Sequence, residues 1–328
     1  MSGIMEDGAE QVTGEIDVSA IRERFRVAME EEKNQGQTVP KIAQKAGIGT
    51  STLYAFMQGT FSGENANVAR KLASFLLTRE ARKQTRATVR RAPGFLKTTT
   101  AGQIFAVLEY AQSEPDMAII CGGAGIGKTT AIHAYQAVGS NVWIMTAEPA
   151  INTVASLLDM LMDGLGMEPG FRGSTMSRRL KQRLTGSEGL IIIDEAQNLR
   201  PVLRDQLRST VFDAAGIGVA LVGNESLDSQ FARERATGQY AQLISRFGQR
   251  VNRPKPYGSD VDLLLAAWGI QGAEAQEVAM KIALMPGALR QMNKTLKIAF
   301  SLSDLRAGSE EPSAADIKEA WKQLGGAG

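Results

Sequence analysis

The segment Gly122-Gly123-Ala124-Gly125-Ile126-Gly127-Lys128-Thr129 constrains this chain most. It follows the short apolar run Met117–Cys121 and precedes a helical pattern from Thr129 to Val138. The order strand, glycine-rich loop, helix with the spacing G-x-x-x-x-G-K-[ST] is a phosphate-binding arrangement. Glycines let successive backbone N–H groups turn toward phosphate oxygens. The helix beginning at Lys128 adds its positive N-terminal end. Lys128 is placed to reach the β- and γ-phosphates, and the Thr129 hydroxyl to ligate Mg²⁺. Thr130, next in that first turn, belongs with the nucleotide-binding residues.

A second segment supplies acids. Leu190-Ile-Ile-Ile-Asp194-Glu195 is an apolar run ending in two carboxylates, the pattern of a buried parallel strand that delivers them to the sheet's C-terminal edge. There Asp194 is placed to hold Mg²⁺ through its water shell, and Glu195 to orient and deprotonate the attacking water. A third apolar run, Ile217–Gly223, ends in Asn224, whose amide has both a donor and an acceptor for a water. Gly-Asn is also an ordinary turn, and Asn224 alone decides nothing.

Composition narrows the alternatives. The chain has 328 residues, enough for two or three domains, and 43% hydrophobic residues, enough for a substantial core. No apolar run approaches the ~18 residues of a membrane span. The acidic stretch Met1–Thr13 lacks a signal peptide's basic and apolar regions, which predicts a cytoplasmic protein without membrane partners. One cysteine, Cys121, excludes an intramolecular disulfide and fits a small core residue. One histidine, His133, argues against a histidine-based triad or metal site. The net charge of +2 directs attention to how charge is distributed.

The pattern along the chain predicts five regions. Residues 1–16 read as a disordered tail. Residues 17–78 read as a helical domain, with helices over Asp17–Gly36, Val39–Ala46, from a Thr/Ser cap near Thr50, and over Asn65–Thr78. Within it, Ala43, Gly47, Ile48 and Leu53 have helix-turn-helix spacing. The presented helix is poor in Arg and Lys, so a helical adaptor that touches no DNA stays open. Residues 79–97 read as a basic linker, carrying Arg79, Arg82, Lys83, Arg86, Arg90, Arg91 and Lys97, either on phosphates or simply solvated. Residues 98–258 alternate strands near 117–121, 141–146, 190–194, 217–223 and 249–252 with helices, predicting a parallel sheet covered on both faces. Residues 259–328 show only helical patterns, ending in a frayed Gly-rich tail.

Ser177–Arg183 places Arg178, Arg179, Lys181 and Arg183 within two helical turns, just before the Asp194 strand. Phosphate contacts from such a helix give sequence-independent, salt-sensitive affinity. A solvated amphipathic face is the alternative.

The phosphate loop, Asp194-Glu195, Asn224, Arg246 in Leu243–Phe247, and Arg290 in Gly287–Arg290 occur in the order of the AAA+ ATPases, which the chain resembles. Within them it is similar to the Mu B transposition proteins, through Val142–Met145, the basic helix before Gly189–Ala196, Ser245-Arg246 and Lys281–Arg290. The resemblance implies an α/β P-loop core, a C-terminal helical lid and an N-terminal all-α helix-turn-helix domain. It implies ATP and Mg²⁺ as cofactors, with Arg246 as a finger entering a neighbour's site and Arg290 acting from the lid. It further implies an ATPase that coats double-stranded DNA with little sequence preference, assembles with itself as an oligomer or helical filament, and delivers that DNA to a DDE transposase, which stimulates hydrolysis. A sequence-specific regulator using ATP as a switch and a helicase-loader-type ATPase remain the alternatives. The amphipathic pattern Ala314–Leu324 is a candidate transposase contact, unless its apolar face packs within its own domain.

Overall fold

Asp17 starts the first helix: its carboxylate accepts the N–H groups of Ser19 and Ala20 at 2.9 and 3.1 Å. The computed structural model describes residues 17–88, 90–168, 173–238, 240–306 and 311–326. The tail expected over 1–16 and the last two residues of the Gly-rich end lie outside them. The chain divides into two compact units, residues 1–90 and 91–328.

The first unit is built from α1 (Val18–Asn34), α2 (Val39–Lys45), α3 (Thr50–Gln58) and α4 (Asn65–Thr88). Phe25, Ile42, Leu53, Phe56 and Leu72 are fully buried at its centre. Pro40 sits in the first turn of α2, where its missing N–H costs nothing. Gly47, at φ +68°, turns the chain between α2 and α3. Tyr54 of α3 is 51% exposed.

Two expectations need correction here. No Thr or Ser side chain caps α3; Gly49 is the cap and Thr50 the first helical residue. The last helix also does not end at Thr78. It continues to Thr88, through half of the stretch expected to be a basic linker. Cross-helix charge explains the extension. Arg79 binds Glu32 at 3.2 Å and also Glu31, and Lys83 binds Glu31 at 2.8 Å. These two cations therefore support a helix packing instead of standing ready for phosphates.

The second unit is a five-stranded parallel sheet in the order β2-β3-β4-β1-β5. Its strands are β1 (Met117–Gly122), β2 (Val142–Thr146), β3 (Leu190–Asp194), β4 (Gly218–Gly223) and β5 (Phe247–Arg253). Buried β1, β3 and β4 alternate their side chains between two cores. Ile119, Cys121, Ile191, Ile193, Val219 and Leu221 meet α7 (Val154–Gly164), α8 (Ser174–Leu184), α9 (Pro201–Leu207) and α10 (Glu225–Thr237). Ile120, Ile192, Ala220 and Val222 meet α5 (Thr99–Ser113) and α6 (Lys128–Val138). A π-helical turn, Arg208–Asp213, continues α9, and the short α11 (Ala241–Ile244) precedes β5.

The lid follows as α12 (Gly258–Trp268), α13 (Ala273–Ala283), α14 (Ala288–Arg306) and α15 (Ala314–Gln323). It has its own core of Leu265, Trp268, Met292, Leu296, Phe300, Ile317 and Ala320. The apolar face of α15 thus packs inside the lid. Buried Asp260 joins lid to sheet: its carboxylate accepts the N–H groups of Thr99 and Thr100 at 2.7 and 3.2 Å, capping α5 from another helix. Among the described residues no helix is long and apolar enough to cross a membrane.

Arg79 and Lys83 hold the Glu31 carboxyl down to about 2, from an ordinary value of 4.5. A depressed carboxylate adds stability above the unfolded value and loses it as pH falls toward the folded one. Helices α1 and α4 should therefore lose hydrogen-exchange protection between about pH 4.5 and 2. Arg79→Ala should flatten that dependence; an unchanged slope would remove the ion pairs from the account.

Candidate active site

Strand register assembles the site. Cys121 pairs with Gly223, and Ile193 with Leu221, so β1, β4 and β3 end together at one sheet edge. That edge carries the glycine-rich loop, Asn224 and the Asp194-Glu195 pair, where parallel α/β sheets place ligands.

The loop is shaped by close backbone approaches. A Cβ on Gly122 would lie 2.3 Å from the Arg253 carbonyl oxygen, and one on Gly123 2.1 Å from that of Pro254. Gly125, at φ +82°, lies against the lid, where a Cβ would fall 1.9 Å from the Gly287 oxygen. Its own carbonyl accepts the Arg290 N–H at 3.2 Å. Gly127, at φ +101°, makes the last left-handed turn before α6.

Lys128 starts α6 and donates to the carbonyls of Gly122 and Gly123 at 2.8 and 2.9 Å. Burial pushes its pKa down, the nearby Asp194 and Glu195 carboxylates push it up, and Arg290 pushes it further down. The Thr129 hydroxyl donates to Asp194 Oδ2 at 2.8 Å. The other Asp194 oxygen accepts the Glu195 N–H at 2.9 Å. Asp194 is buried, whereas Glu195 is exposed. The Glu195 backbone, at φ +54°, turns its side chain off the strand line. Such a conformation in a non-glycine residue costs about 1–3 kcal/mol and clusters at functional sites. Asn224 caps α10, its Oδ1 accepting the Ser226 N–H at 2.8 Å.

Most of these residues border a cavity of about 580 Å³; Asp194 is joined to it through Thr129. The loop from Ala124 to Thr130, Glu195, Asn224 and Arg290 all line it. The volume lies in the range of sites for small organic ligands. The lining also includes residues that sequence reasoning missed: Phe95, Leu96, Leu264, Leu289, Asn293 and Lys294. Pro93-Gly94 ahead of an apolar pair was the available signal for the first two. Phe95 stacks on Phe105, centroids 5.9 Å apart.

Other expected residues lie elsewhere. Arg246 directly precedes β5, whose first residue pairs with Met117 at the start of β1. It is therefore at the sheet edge opposite the loop, 3.4 Å from Asp213 and half exposed. Arg178, Arg179, Lys181 and Arg183 are all exposed on α8. The Arg183 guanidinium lies over Trp143, 5.3 Å from its centroid. Cys121 is buried, which pushes its pKa up to about 11, as a core thiol requires. His133 is exposed. Among the described residues no cluster of three or more His, Cys, Asp or Glu forms a metal site of its own.

Residues 111–231 match the AAA domain model, and residues 245–324 match the model for the C-terminal part of the Mu B transposition protein. The ATP-dependent target DNA activator B of Escherichia phage Mu is 33% identical, over 94% of this chain and 96% of its own length. The Mu-like prophage FluMu DNA transposition protein B of Haemophilus influenzae is also 33% identical, over 79% of this chain and 90% of its own. Among solved structures, the Aeropyrum pernix ORC1 protein in complex with DNA covers 71% of this chain and 67% of its own, with a TM-score of 0.51 at 18% identity. At that identity the likeness concerns the fold alone.

The contact between Gly125 and the lid generates a prediction. Gly125→Ala forces the loop away from Gly287 and should weaken binding of a fluorescent ATP analogue by at least about tenfold. Gly102→Ala is the control, because a Cβ there meets nothing within 4 Å and alanine favours helix α5. Equal affinity in the two variants would show that the loop does not depend on the lid contact.

Proposed function

The chain belongs to the Mu B family of transposition proteins, and from that premise we propose that it assembles with itself on double-stranded DNA and hands that DNA to a transposase. It is an AAA+ ATP hydrolase that serves ATP-dependent selection of transposition targets. The observation that carries the reading is the meeting of the glycine-rich loop with Asp194 and Glu195 at one sheet edge, through the 2.8 Å contact from Thr129 to Asp194.

The residues fit the substrate and its metal. The loop can follow its tight path past the Arg253, Pro254 and Gly287 carbonyls only because Gly122, Gly123 and Gly125 carry no Cβ. Thr129 and Asp194 present a hydroxyl and a carboxylate side by side, hard oxygen donors of the kind Mg²⁺ takes. When bound, Mg²⁺ would neutralise charge between the β- and γ-phosphates. Lys128 supplies a desolvated cation to those phosphates, and Arg290 another from the lid. Glu195 takes the proton of the attacking water. The Asn224 oxygen is engaged in capping α10, so its Nδ2 amide is the end assigned to that water.

The Arg246 position supports a role across a subunit boundary, since it lies at the edge opposite its own nucleotide cavity. Shared sites of this kind make hydrolysis depend on assembly. The exposed cations of α8 support phosphate contact, and the relatives' printed names support target DNA as the ligand.

Arg246→Ala should keep nucleotide binding and lose DNA-stimulated hydrolysis and ordered assembly, read by turnover and electron microscopy. Normal turnover would exclude Arg246 as the finger. Arg179→Ala with Lys181→Ala should weaken binding to all duplex sequences alike and reduce the salt slope by roughly one unit per lost contact. A loss confined to one sequence would favour a sequence-specific regulator instead.

A further inference from the structure

Gln197 is a polar side chain that bonds both to the Glu195 carboxylate and to the backbone of Asn224, the two residues assigned to the attacking water. It lies in the short 3-10 turn Ala196–Asn198, directly after Glu195. Its Nε2 donates to Glu195 Oε2, and its Oε1 accepts the backbone N–H of Asn224 at 3.2 Å. The turn is itself anchored. The Gln197 carbonyl accepts Gln230 Nε2 of α10 at 3.2 Å, and Asn198 Nδ2 donates to the Ala147 carbonyl at 2.8 Å. Gly223, the last residue of β4, leaves room for the carboxamide: a Cβ there would lie 2.6 Å from Gln197 Oε1.

We propose that Gln197 is a positioning residue for hydrolysis, its carboxamide tying Glu195 to the end of β4 at Asn224. This rests on Glu195 being the base. The chemistry fixes the amide's orientation. A carboxylate can only accept and a backbone N–H can only donate, so one side chain must supply a donor on one end and an acceptor on the other. Gln does this; Glu supplies only acceptors, and Met supplies neither.

The geometry explains why such a tie is needed. Glu195 is exposed and long, and left alone would sample several rotamers. Asn224 is fixed by the strand and by its cap on α10. Proton abstraction requires both to face one water within hydrogen-bond distance. The Gln197 bridge sets the mobile group by reference to the fixed one. A purely structural role would need only the acceptor end, which satisfies the Asn224 N–H.

Gln197→Glu separates the two roles, because it keeps the acceptor toward Asn224 and removes the donor toward Glu195. Steady-state ATP hydrolysis would be measured on the full chain with DNA for Gln197→Glu, Glu195→Gln and the double variant. Gln197→Glu should lower kcat by roughly tenfold and leave KM for ATP within about twofold. In the Glu195→Gln background the same change should alter residual turnover by less than about twofold, since an amide at 195 and a carboxylate at 197 re-form the pair with its polarity reversed. If Gln197→Glu does not fold, Gln197→Met enters the same cycle, with nucleotide binding as the check on folding. Wild-type kcat in Gln197→Glu beside an inactive Glu195→Gln would overturn the proposal. So would equal losses in both backgrounds, the mark of a structural residue. Full activity in Glu195→Gln would instead remove the base assignment beneath it.

Discussion

The site depends on one constraint: β1, β4 and β3 are hydrogen-bonded neighbours, parallel and in register. Parallel strands cannot be joined by tight hairpins; each needs a crossover, and the crossovers cover both sheet faces. Every strand therefore ends at the same edge, and polar residues following apolar runs gather there. Asp194, Asn224 and the glycine-rich loop are far apart in sequence and adjacent at that edge for this reason. The burial that holds the strands also fixes the chemistry. Asp194 keeps its place because Ile191, Ile192 and Ile193 before it are fully buried.

The lid is held to this edge by backbone and by charge. Backbone does it at Gly125, whose carbonyl accepts the Arg290 N–H, and where any side chain would strike Gly287. Charge does it at Asp260, whose buried carboxylate serves two N–H groups at the start of α5. A buried carboxylate at a helix N-terminus gains from both hydrogen bonding and the helix dipole. The two ties lie at the mouth of the cavity and at the base of α12, which leaves the lid core around Trp268 free to pack independently of the sheet.

Much of this was legible in the sequence. Apolar runs and punctuation located β1 to β4, the fifth strand was expected two residues after its start at Phe247, and the loop and Asp194-Glu195 identified the edge where they meet. What escaped had no periodic signal. Helix α4 runs ten residues past its apolar pattern because Arg79 and Lys83 find Glu31 and Glu32 on a helix about fifty residues earlier. That pairing exists only once α1 and α4 pack. The cavity wall from Phe95 and Leu96 escaped because two apolar residues after Pro-Gly define neither helix nor strand. Gln197 escaped because an amide two residues past an acid is an unremarkable surface pattern until β4 ends beside it.

Under the proposed self-assembly, the arginine able to act across a subunit boundary is set by what each would have to leave. Arg204 is fully buried, its guanidinium over Phe231 and paired with Glu234, and burial pushes its pKa down. Removing a partner from such a pair costs about 3–5 kcal/mol, so Arg204 is committed to its own fold. Arg253 lies 3.3 Å from the centroid of Tyr257, and Arg250 is paired with Asp228. Arg246 is 51% exposed and, among the described residues, pairs with Asp213 at 3.4 Å, on the π-helical turn. A surface pair of that kind is worth about 0–1 kcal/mol, less than a guanidinium gains from a phosphate in a water-poor cleft. Asp213 would not be left unpaired by the move, because Arg208 also binds it. Of these four arginines, Arg246 is the one half exposed and held by an ion pair whose carboxylate keeps a second cation.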